Sequence, residues 1–219
     1  MERFFDDDYA EDGVLRDGTR VHLRLVRPTD DVLLRRGFEA LSDESRYRRF
    51  LTPKARLTDS ELKYLTDVDQ ESHFALGAAL IDAFGREEPV GIARFVRLTS
   101  DPVVAEAAVT VLDSVQGRGL GSLLLLRLIA AAQERGIERF RCIVLAENSD
   151  MRGLMHHVLP ESRDRADGNA VVIEAPLPDV EPSQPERDRP VGHWTYDLLR
   201  RTASGTLSVL GDLLQVLHR

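Results

Sequence analysis

Alternation of apolar and polar positions marks several short segments in the first half of the chain. Val21–Pro28 alternates in this way and predicts a half-buried strand. Three further segments have strand character, and short turn-rich links separate them, which predicts an antiparallel meander. These segments are His73–Asp82, Pro89–Leu98 and Val104–Leu112.

Capping residues and helical periodicity predict helices between and after these strands. The first helix should run from Asp31 to about Leu41, and the second should begin at Thr58 and Glu61, which have capping-box spacing. The remaining predicted elements are a helix from Gly119 or Leu120 to Arg135 that Gly136 closes, a strand Arg139–Ala146, a helix Asp150–Val158 and a strand Asn169–Leu177.

The composition of the two ends differs from that of the middle. Residues 1–13 are acidic and short of packing residues, which predicts a disordered tail before a folded domain at residues 14–177. Five of the ten prolines lie between Pro176 and Pro190, so residues 178–190 are predicted to be a linker. Residues 191–219 then form a predicted helical extension. This extension could dock on its own domain, form a homodimer or bind a partner, or lie on a membrane surface.

Charge and composition restrict the class of protein. A chain of 219 residues with 42% hydrophobic residues can bury one full core. The net charge of −8 argues against a general nucleic-acid binder. Cys142 is the single cysteine, and neither a signal peptide nor an apolar run long enough for a membrane span is apparent. We therefore expect a cytoplasmic protein without intramolecular disulfides.

Three glycines at alternate positions stand between a predicted strand and the leucine-rich helix, in the stretch DSVQGRGLGS. Residues without side chains let a phosphate approach the free N–H groups of a helix N-terminus. The stretch therefore favours a pyrophosphate site over a glycine-rich turn that only changes the chain direction. It lacks the GK[ST] ending of a P-loop, and its G-x-G-x-G spacing after antiparallel strands fits a dinucleotide-binding dehydrogenase poorly.

The segment QGRGLG resembles the Q/R-x-x-G-x-G/A signature of the GNAT superfamily of acyl-CoA-dependent N-acetyltransferases. Longer stretches are similar to bacterial protein-lysine acetyltransferases of the Pat type, over the catalytic domain only. This resemblance implies a three-layer α+β fold with a mixed, mostly antiparallel twisted sheet flanked by helices. The stretches are LRDGTRVHLRLVRPTD, LSDESRYRRFLTP, VGIARFVRL, AEAAVTVLDSVQGRGLGSLLL and ERFRCIVLAENSDMRGLM.

The resemblance also implies that acetyl-CoA is the co-substrate and that no metal is needed. The preceding strand would bind the pantetheine arm through the amides of Val109 and Val111. Asn148 resembles an asparagine that contacts the coenzyme in many members, although it is equally suited to cap the next helix. The residues expected around the pyrophosphate are Gln116, Gly117, Arg118, Gly119, Leu120, Gly121 and Ser122.

Acetyl transfer to an amine requires a base, because a lysine side chain is protonated near neutral pH. From the residues alone, an exposed strand position is the better interpretation of Glu106, because single glutamates are common in strands. The resemblance favours a catalytic base instead, since Pat-type enzymes place their catalytic glutamate there. The amine would attack the thioester directly, and a backbone N–H such as that of Val111 would polarise its carbonyl. Many GNAT enzymes offer a tyrosine acid where this chain has Met155, so the general acid stays unassigned.

The acceptor is the least defined part of this hypothesis. A protein lysine is the leading expectation, and a small amine or a peptide is the alternative on the same fold. A non-catalytic acyl-CoA-binding regulatory protein is a further alternative, and it predicts binding without turnover. The basic cluster Ser45–Phe50 could orient an acidic substrate, bind the 3′-phosphate of the coenzyme or form a solvated helix face.

Overall fold

The structure is a computed structural model that describes residues 3–178. Eight strands and five α-helices form in this part of the chain. The strands are β1 (Ala10–Val14), β2 (Arg20–Leu25), β3 (His73–Ile81), β4 (Glu87–Arg97), β5 (Val104–Val111), β6 (Arg139–Leu145), β7 (Arg163–Asp167) and β8 (Ala170–Pro176). The helices are α1 (Asp31–Glu39), α2 (Asp43–Phe50), α3 (Asp59–Thr66), α4 (Leu120–Glu134) and α5 (Ser149–Val158).

All eight strands belong to one sheet with the order β1-β2-β3-β4-β5-β6-β8-β7. Neighbouring strands run antiparallel, except that β5 and β6 are parallel. Helices pack on both faces, which gives three layers. The predicted fold class is thereby confirmed, as is the meander of β3, β4 and β5.

One face of the sheet packs against α4 and α5 and holds the main core. Gly91 of β4 lies under α4: a Cβ on this residue would lie 3.0 Å from Leu124. A row of aromatic rings continues this core, and Phe74 stacks on Phe95 with centroids 5.3 Å apart. As predicted, α4 closes at Gly136, whose φ of +71° and N–H bond to Gln133 end the helix.

The opposite face carries α1, α2 and α3. Thr58 and Glu61 form the predicted capping box at the start of α3, with reciprocal bonds of 3.3 and 2.9 Å. Helix α2 spans the ends of two strands: Ser45 Oγ donates to Asp113 after β5 at 2.7 Å. Arg48, three residues on, donates to Asp150 at the start of α5, just after β6, at 3.2 Å.

The prediction of a disordered tail over residues 1–13 is wrong for the residues described. Residues 10–14 form β1 and pair with β2, and Phe5 and Tyr9 are buried. Glu11, one of the acidic residues of this segment, accepts a hydrogen bond from the buried Arg127 of α4 at 2.7 Å, which neutralises its charge. Aromatic burial and this ion pair outweigh the acidic composition, so the domain begins before residue 14.

The linker beyond residue 178 and the helical extension of residues 191–219 lie outside the described residues. Strand β7, whose five residues are all exposed, is a short addition that the sequence did not predict. Within residues 3–178, no helix is long and apolar enough to cross a membrane.

Candidate active site

Strands β5 and β6 pair over only three residues and then separate. The pairs are Val104 with Arg139, Ala105 with Phe140, and Glu106 with Arg141. Beyond Glu106, β5 continues to Val111 with β4 as its partner. The second half of β5 therefore borders a gap in the sheet, and α2 bridges the far ends of that gap.

The backbone of β5 offers alternate amides to this gap. Leu112 donates to Val90 of β4 at 2.9 Å, and Leu98 donates to Val104 at 2.9 Å, so even-numbered β5 residues direct their backbone groups to β4. The backbone N–H and C=O groups of the odd-numbered β5 residues are therefore directed to the opposite side, towards β6. The predicted pantetheine contacts, Val109 and Val111, are two of these residues, so their N–H groups face the gap.

The glycine-rich loop leads from β5 into the N-terminus of α4. Gly117 and Gly119 have φ of +73° and +94°, the left-handed region that favours glycine. No side chain caps α4, and its first turn contains no acidic residue. Its first N–H groups and the positive end of the helix dipole are thus open to an anion.

The other predicted loop residues have different surroundings. Leu120 is buried, so its backbone alone is available. Gly121 packs tightly, because a Cβ there would lie 3.3 Å from Leu154 of α5. Gln116 donates to the Val111 carbonyl at 3.0 Å. The Arg118 guanidinium pairs with Asp17 at 2.8 Å, so it faces the β1–β2 turn, and Ser122 lies half-buried in the first turn of α4.

Arg16 in the β1–β2 turn is a residue that the sequence analysis missed. A Cβ on Gly119 would lie 3.4 Å from its Nε, so the Arg16 side chain lies over the glycine loop. Arg16 is exposed, and its guanidinium makes no hydrogen bond or ion pair with residues 3–178. The bond from its N–H to the Arg118 carbonyl and the neighbouring ion pair of Asp17 with Arg118 hold the turn there, contacts across a hundred residues with no local sequence signal.

Asn148 caps α5, since its Oδ1 accepts the N–H of Met151 at 3.1 Å. The alternative in which Asn148 caps the helix is therefore present, and coenzyme contact stays a prediction. Met155 is fully buried and contacts Cys142 at 3.7 Å between sulfur atoms. Burial raises the pKa of the Cys142 thiol to about 12, which keeps it protonated and makes it a poor nucleophile.

Glu106 lies at the point where β5 and β6 separate. Its side chain is exposed and, within the described chain, it forms neither a hydrogen bond nor an ion pair. Its neighbours across the sheet are Val96 and Arg141, and Arg141 is committed to Glu174 at 2.9 Å. The Glu106 carboxylate is therefore free to accept a proton.

Arg49 of α2 and Arg94 of β4 lie on the same face of the sheet as Glu106. The negative charge of Glu106 favours the charged form of Arg49, although burial lowers the pKa of Arg49 overall. Arg94 donates to Nε2 of His73 at 3.0 Å. Burial, and then the positive charge of Arg94, lower the pKa of His73 to about 4, so this imidazole is neutral near pH 7.

Within residues 3–178, no group of three or more His, Cys, Asp and Glu side chains is arranged to hold a metal. The chemistry that the described residues offer is thus a carboxylate beside a gap lined by backbone N–H groups. An uncapped helix N-terminus adjoins that gap. This combination suits acyl transfer from a phosphate-bearing thioester.

Comparisons with known proteins agree with this geometry. Residues 37–159 match the acetyltransferase (GNAT) family, so the chain belongs to that family. Acetyltransferase Pat of Mycolicibacterium smegmatis is 36% identical over 181 residues, which cover 78% of this chain and 51% of Pat. The chain thus spans about half the length of this relative. The resemblance to Pat-type enzymes, over the catalytic domain only, is confirmed.

Two further relatives point the same way. Acetyltransferase PA5475 of Pseudomonas aeruginosa is 32% identical over 140 residues, which cover 64% of this chain and 74% of the relative. The crystal structure of the GNAT domain of S. lividans PAT superposes with a TM-score of 0.69 at 32% identity. That superposition covers 77% of this chain and 97% of the PAT domain.

Proposed function

We propose that the protein transfers the acetyl group of acetyl-CoA to a primary amine, with a protein lysine as the acceptor. The observation that carries the proposal is the gap between β5 and β6, which begins after Glu106 and adjoins the uncapped N-terminus of α4. This gap brings a carboxylate and unpaired backbone donors together. The lysine acceptor rests on the resemblance to Pat-type enzymes.

The coenzyme would be held mainly by backbone groups. The first amides of α4 and those of the loop from Gly117 to Gly121 suit the pyrophosphate, because they lie close to the positive end of the helix dipole and donate to no backbone carbonyl within residues 3–178, whereas the Gln116 N–H donates to the Asp113 carbonyl at 3.4 Å. The N–H groups of Val109 and Val111 would extend the sheet by pairing with the pantetheine arm. Arg16 would add a positive charge beside the phosphates.

Glu106 would act as the general base in a direct transfer. The protonated acceptor amine gives a proton to the Glu106 carboxylate, directly or through one water, and its lone pair attacks the thioester carbonyl carbon. The C–N bond forms, the C–S bond breaks, and coenzyme A leaves as a thiolate. The Val111 N–H, directed into the gap, would stabilise the negative charge on the carbonyl oxygen.

The leaving thiolate must gain a proton, and Met155 offers none. The Met155 side chain is fully buried, so it contributes packing at the position where many relatives have tyrosine. We therefore expect solvent to protonate the thiolate at the open gap.

The test is peptide mass spectrometry of a lysate from the source cell, treated with acetyl-CoA and either the native protein or Glu106→Gln. We expect new acetyl-lysine marks with the native protein and at most background marking with the variant. Glu88→Gln is the matched control, because Glu88 is an exposed residue of β4 that pairs with Arg36 on the surface at 3.8 Å. Equal marking by the native protein and Glu106→Gln would remove Glu106 from the mechanism.

A binding measurement distinguishes the remaining outcomes. If calorimetry shows that acetyl-CoA binds but no lysine is marked, the acceptor is not a protein lysine of that lysate. If neither binding nor marking occurs, the assignment of the loop itself is wrong.

A further inference from the structure

A cavity of about 120 Å³ lies between α1 and the sheet, on the face that carries Glu106. Most of its walls are apolar, with Leu34 and Phe38 of α1 facing the strands. Polar groups line it at two places. Arg24 and its partners lie on the β2 side, and Arg49, Arg94 and Thr110 lie towards β5.

The arginine on the β2 side has its own counter-ions. Arg24 donates to Asp30 at 2.7 Å and to Glu87 at 2.8 Å. These two carboxylates neutralise its charge and saturate most of its donors, as expected for a guanidinium that is largely removed from water. The charge and the donors of Arg24 are therefore satisfied by the protein, and Arg24 does not indicate a ligand.

Neither arginine towards β5 pairs with a carboxylate of residues 3–178. Arg94 is buried and donates only to neutral acceptors, Nε2 of His73 at 3.0 Å and the Leu65 carbonyl at 3.1 Å. Burial and then the charge of Arg49 lower the pKa of Arg94 to about 9. Two guanidinium groups thus face one cavity, and neither forms an ion pair with a carboxylate of residues 3–178, although the charge of the exposed Glu106 acts on Arg49.

Arg49 and Thr110 also have unused hydrogen-bonding capacity. In the described part of the chain, the Arg49 guanidinium makes no hydrogen bond or ion pair, and it lies over the Phe50 ring, 5.2 Å from the centroid. The Thr110 hydroxyl is fully buried and has no hydrogen-bond partner. A buried hydroxyl without a partner is costly unless a ligand satisfies it, and Arg49 beside it is only partly exposed.

We propose that Arg49, Arg94 and the Thr110 hydroxyl bind a carboxylate of the acceptor, so that the enzyme prefers amines that carry a carboxylate nearby. This inference rests on the proposed function, because it places the acceptor on the Glu106 face. Guanidinium groups and a hydroxyl are the donors that suit a carboxylate, and Arg49 is positioned by α2, which is held to the chain after β5 and after β6.

The spacing along β5 sets how far this carboxylate lies from the amine. Ala108 pairs with Arg94 and lies between Glu106 and Thr110 on the same face. Alternate residues of a strand are about 7 Å apart. Ala108, beside Arg94, is thus about 7 Å along the strand from Glu106 and Thr110 about 13 Å, so the carboxylate would lie about 7–13 Å from the general base. An acidic side chain one or two residues from a lysine reaches this far, as does the α-carboxylate of free lysine.

The test compares matched acceptors. We would measure kcat/KM for a lysine peptide with glutamate beside the lysine and for the same peptide with glutamine, and likewise for free lysine and lysine amide. We expect the carboxylate member of at least one pair to be preferred about tenfold. Preference within the peptide pair identifies an acidic side chain as the source, and preference within the lysine pair identifies a small amino acid.

Variants assign the preference to the cavity. Arg49→Gln and Thr110→Val should each reduce the ratio between paired acceptors, to about one for Arg49→Gln, and Arg49→Lys should restore part of it. Arg36→Gln on α1 is the matched control, because it removes one positive charge from a half-exposed side chain outside the cavity. It should retain the full preference. Arg94→Gln is less suitable, since Arg94 also anchors His73 and Leu65.

A readout without turnover separates this inference from the proposed function. The N-acetylated glutamate and glutamine peptides would be titrated onto the protein, and the glutamate product should bind about tenfold more tightly, in an Arg49-dependent way. If no amine is acetylated but this difference remains, the proposed function fails and the carboxylate site stands. If the native protein shows no carboxylate preference in any pair, or if Arg49→Gln retains it, the inference is wrong.

Discussion

Strand β5 borders two regions, one that offers backbone groups and one that offers side chains. On the side of the gap and the α4 N-terminus, the available groups are backbone N–H groups presented by glycines and by an unpaired strand edge. On the face towards α1 and α2, they are the side chains of Glu106, Arg49 and Arg94. Backbone groups have fixed geometry and no titration near neutral pH, whereas side chains supply charge and proton transfer.

This difference suits the two parts of the proposed reaction. A coenzyme is the same in every turnover, so fixed backbone donors can hold it. The acceptor must lose a proton and must be distinguished from other amines, and only side chains can do either. The comparison predicts that mutations on the two sides of β5 have separable effects.

The largest expected effect is that of Gly119→Glu. Its φ of +94° strains any side chain, and the new carboxylate would repel the pyrophosphate at the α4 N-terminus. We expect affinity for acetyl-CoA to fall about 1000-fold, measured by calorimetry. Gly85→Glu is the matched control: Gly85 has a φ of +77° in the β3–β4 turn, so strain and charge are alike. If Gly119→Glu still binds acetyl-CoA with native affinity, the glycine loop is not the coenzyme site.

Glu106→Gln should produce the opposite pattern. Losing a general base typically costs about 100-fold or more in kcat, whereas the coenzyme contacts stay in place. Steady-state kinetics and calorimetry would show kcat reduced about 100-fold and the Kd of acetyl-CoA changed less than twofold. A large loss of acetyl-CoA affinity in this variant would mean that the two regions are not independent.

Acidification should lower the stability of the fold through His73, on the face of the sheet that carries Glu106, Arg49 and Arg94. The pKa of His73 is about 4 in the fold and 6.5 unperturbed, so the unfolded chain binds the extra proton between these values. Stability is therefore complete above pH 6.5 and is lost as the pH falls towards 4. We expect the free energy of unfolding to fall by about 2 kcal/mol over this range. This figure already allows for solvent screening, because His73 is only half-buried.

Urea unfolding at several pH values would measure this loss. His73→Gln keeps an acceptor for Arg94 but does not titrate, so its stability should change less between pH 6.5 and 4. Carboxylates with lowered pKa values would contribute to the remaining slope, among them Asp30 and Glu87, which accept hydrogen bonds from Arg24. Identical slopes for the native protein and the variant would contradict the assigned role of His73.

Arg16→Ala should have the smallest effect. Its guanidinium is exposed over Gly119, where salt and water screen its attraction to a phosphate. We expect acetyl-CoA affinity to fall about fivefold at low salt and less at high salt. Arg20→Ala, which removes an exposed charge from the start of β2, should leave the affinity unchanged. An equal loss in both variants would indicate a general charge effect.

The sequence marks the residues proposed to hold the coenzyme more clearly than those proposed to hold the acceptor, for a physical reason. A backbone site needs glycines at particular positions before a helix, and this requirement leaves a contiguous signal of ten residues. The residues proposed for the acceptor side, Arg49, Arg94, Glu106 and Thr110, come from three elements. The sequence singled out Glu106 through the family resemblance and Arg49 as part of the basic cluster Ser45–Phe50, but no local pattern marks Arg94 or Thr110 or brings the four together. Arg16 is a similar case, since the register of β1 with β2 and its bond to Arg118 bring it to the loop.

The sequence by itself determined the main strands and the helices α1, α3, α4 and α5. It also determined the N-terminal capping box of α3, the C-terminal end of α4 at Gly136 and the glycine loop. These features depend on local periodicity and backbone conformation. Only the tertiary structure decided that the acidic N-terminal segment folds, because the neutralising Arg127 is 116 residues away. It also decided which amides of β5 face the gap and which arginines share one cavity. Those features depend on strand pairing and helix packing, in which the energy of burial connects residues that are distant along the chain.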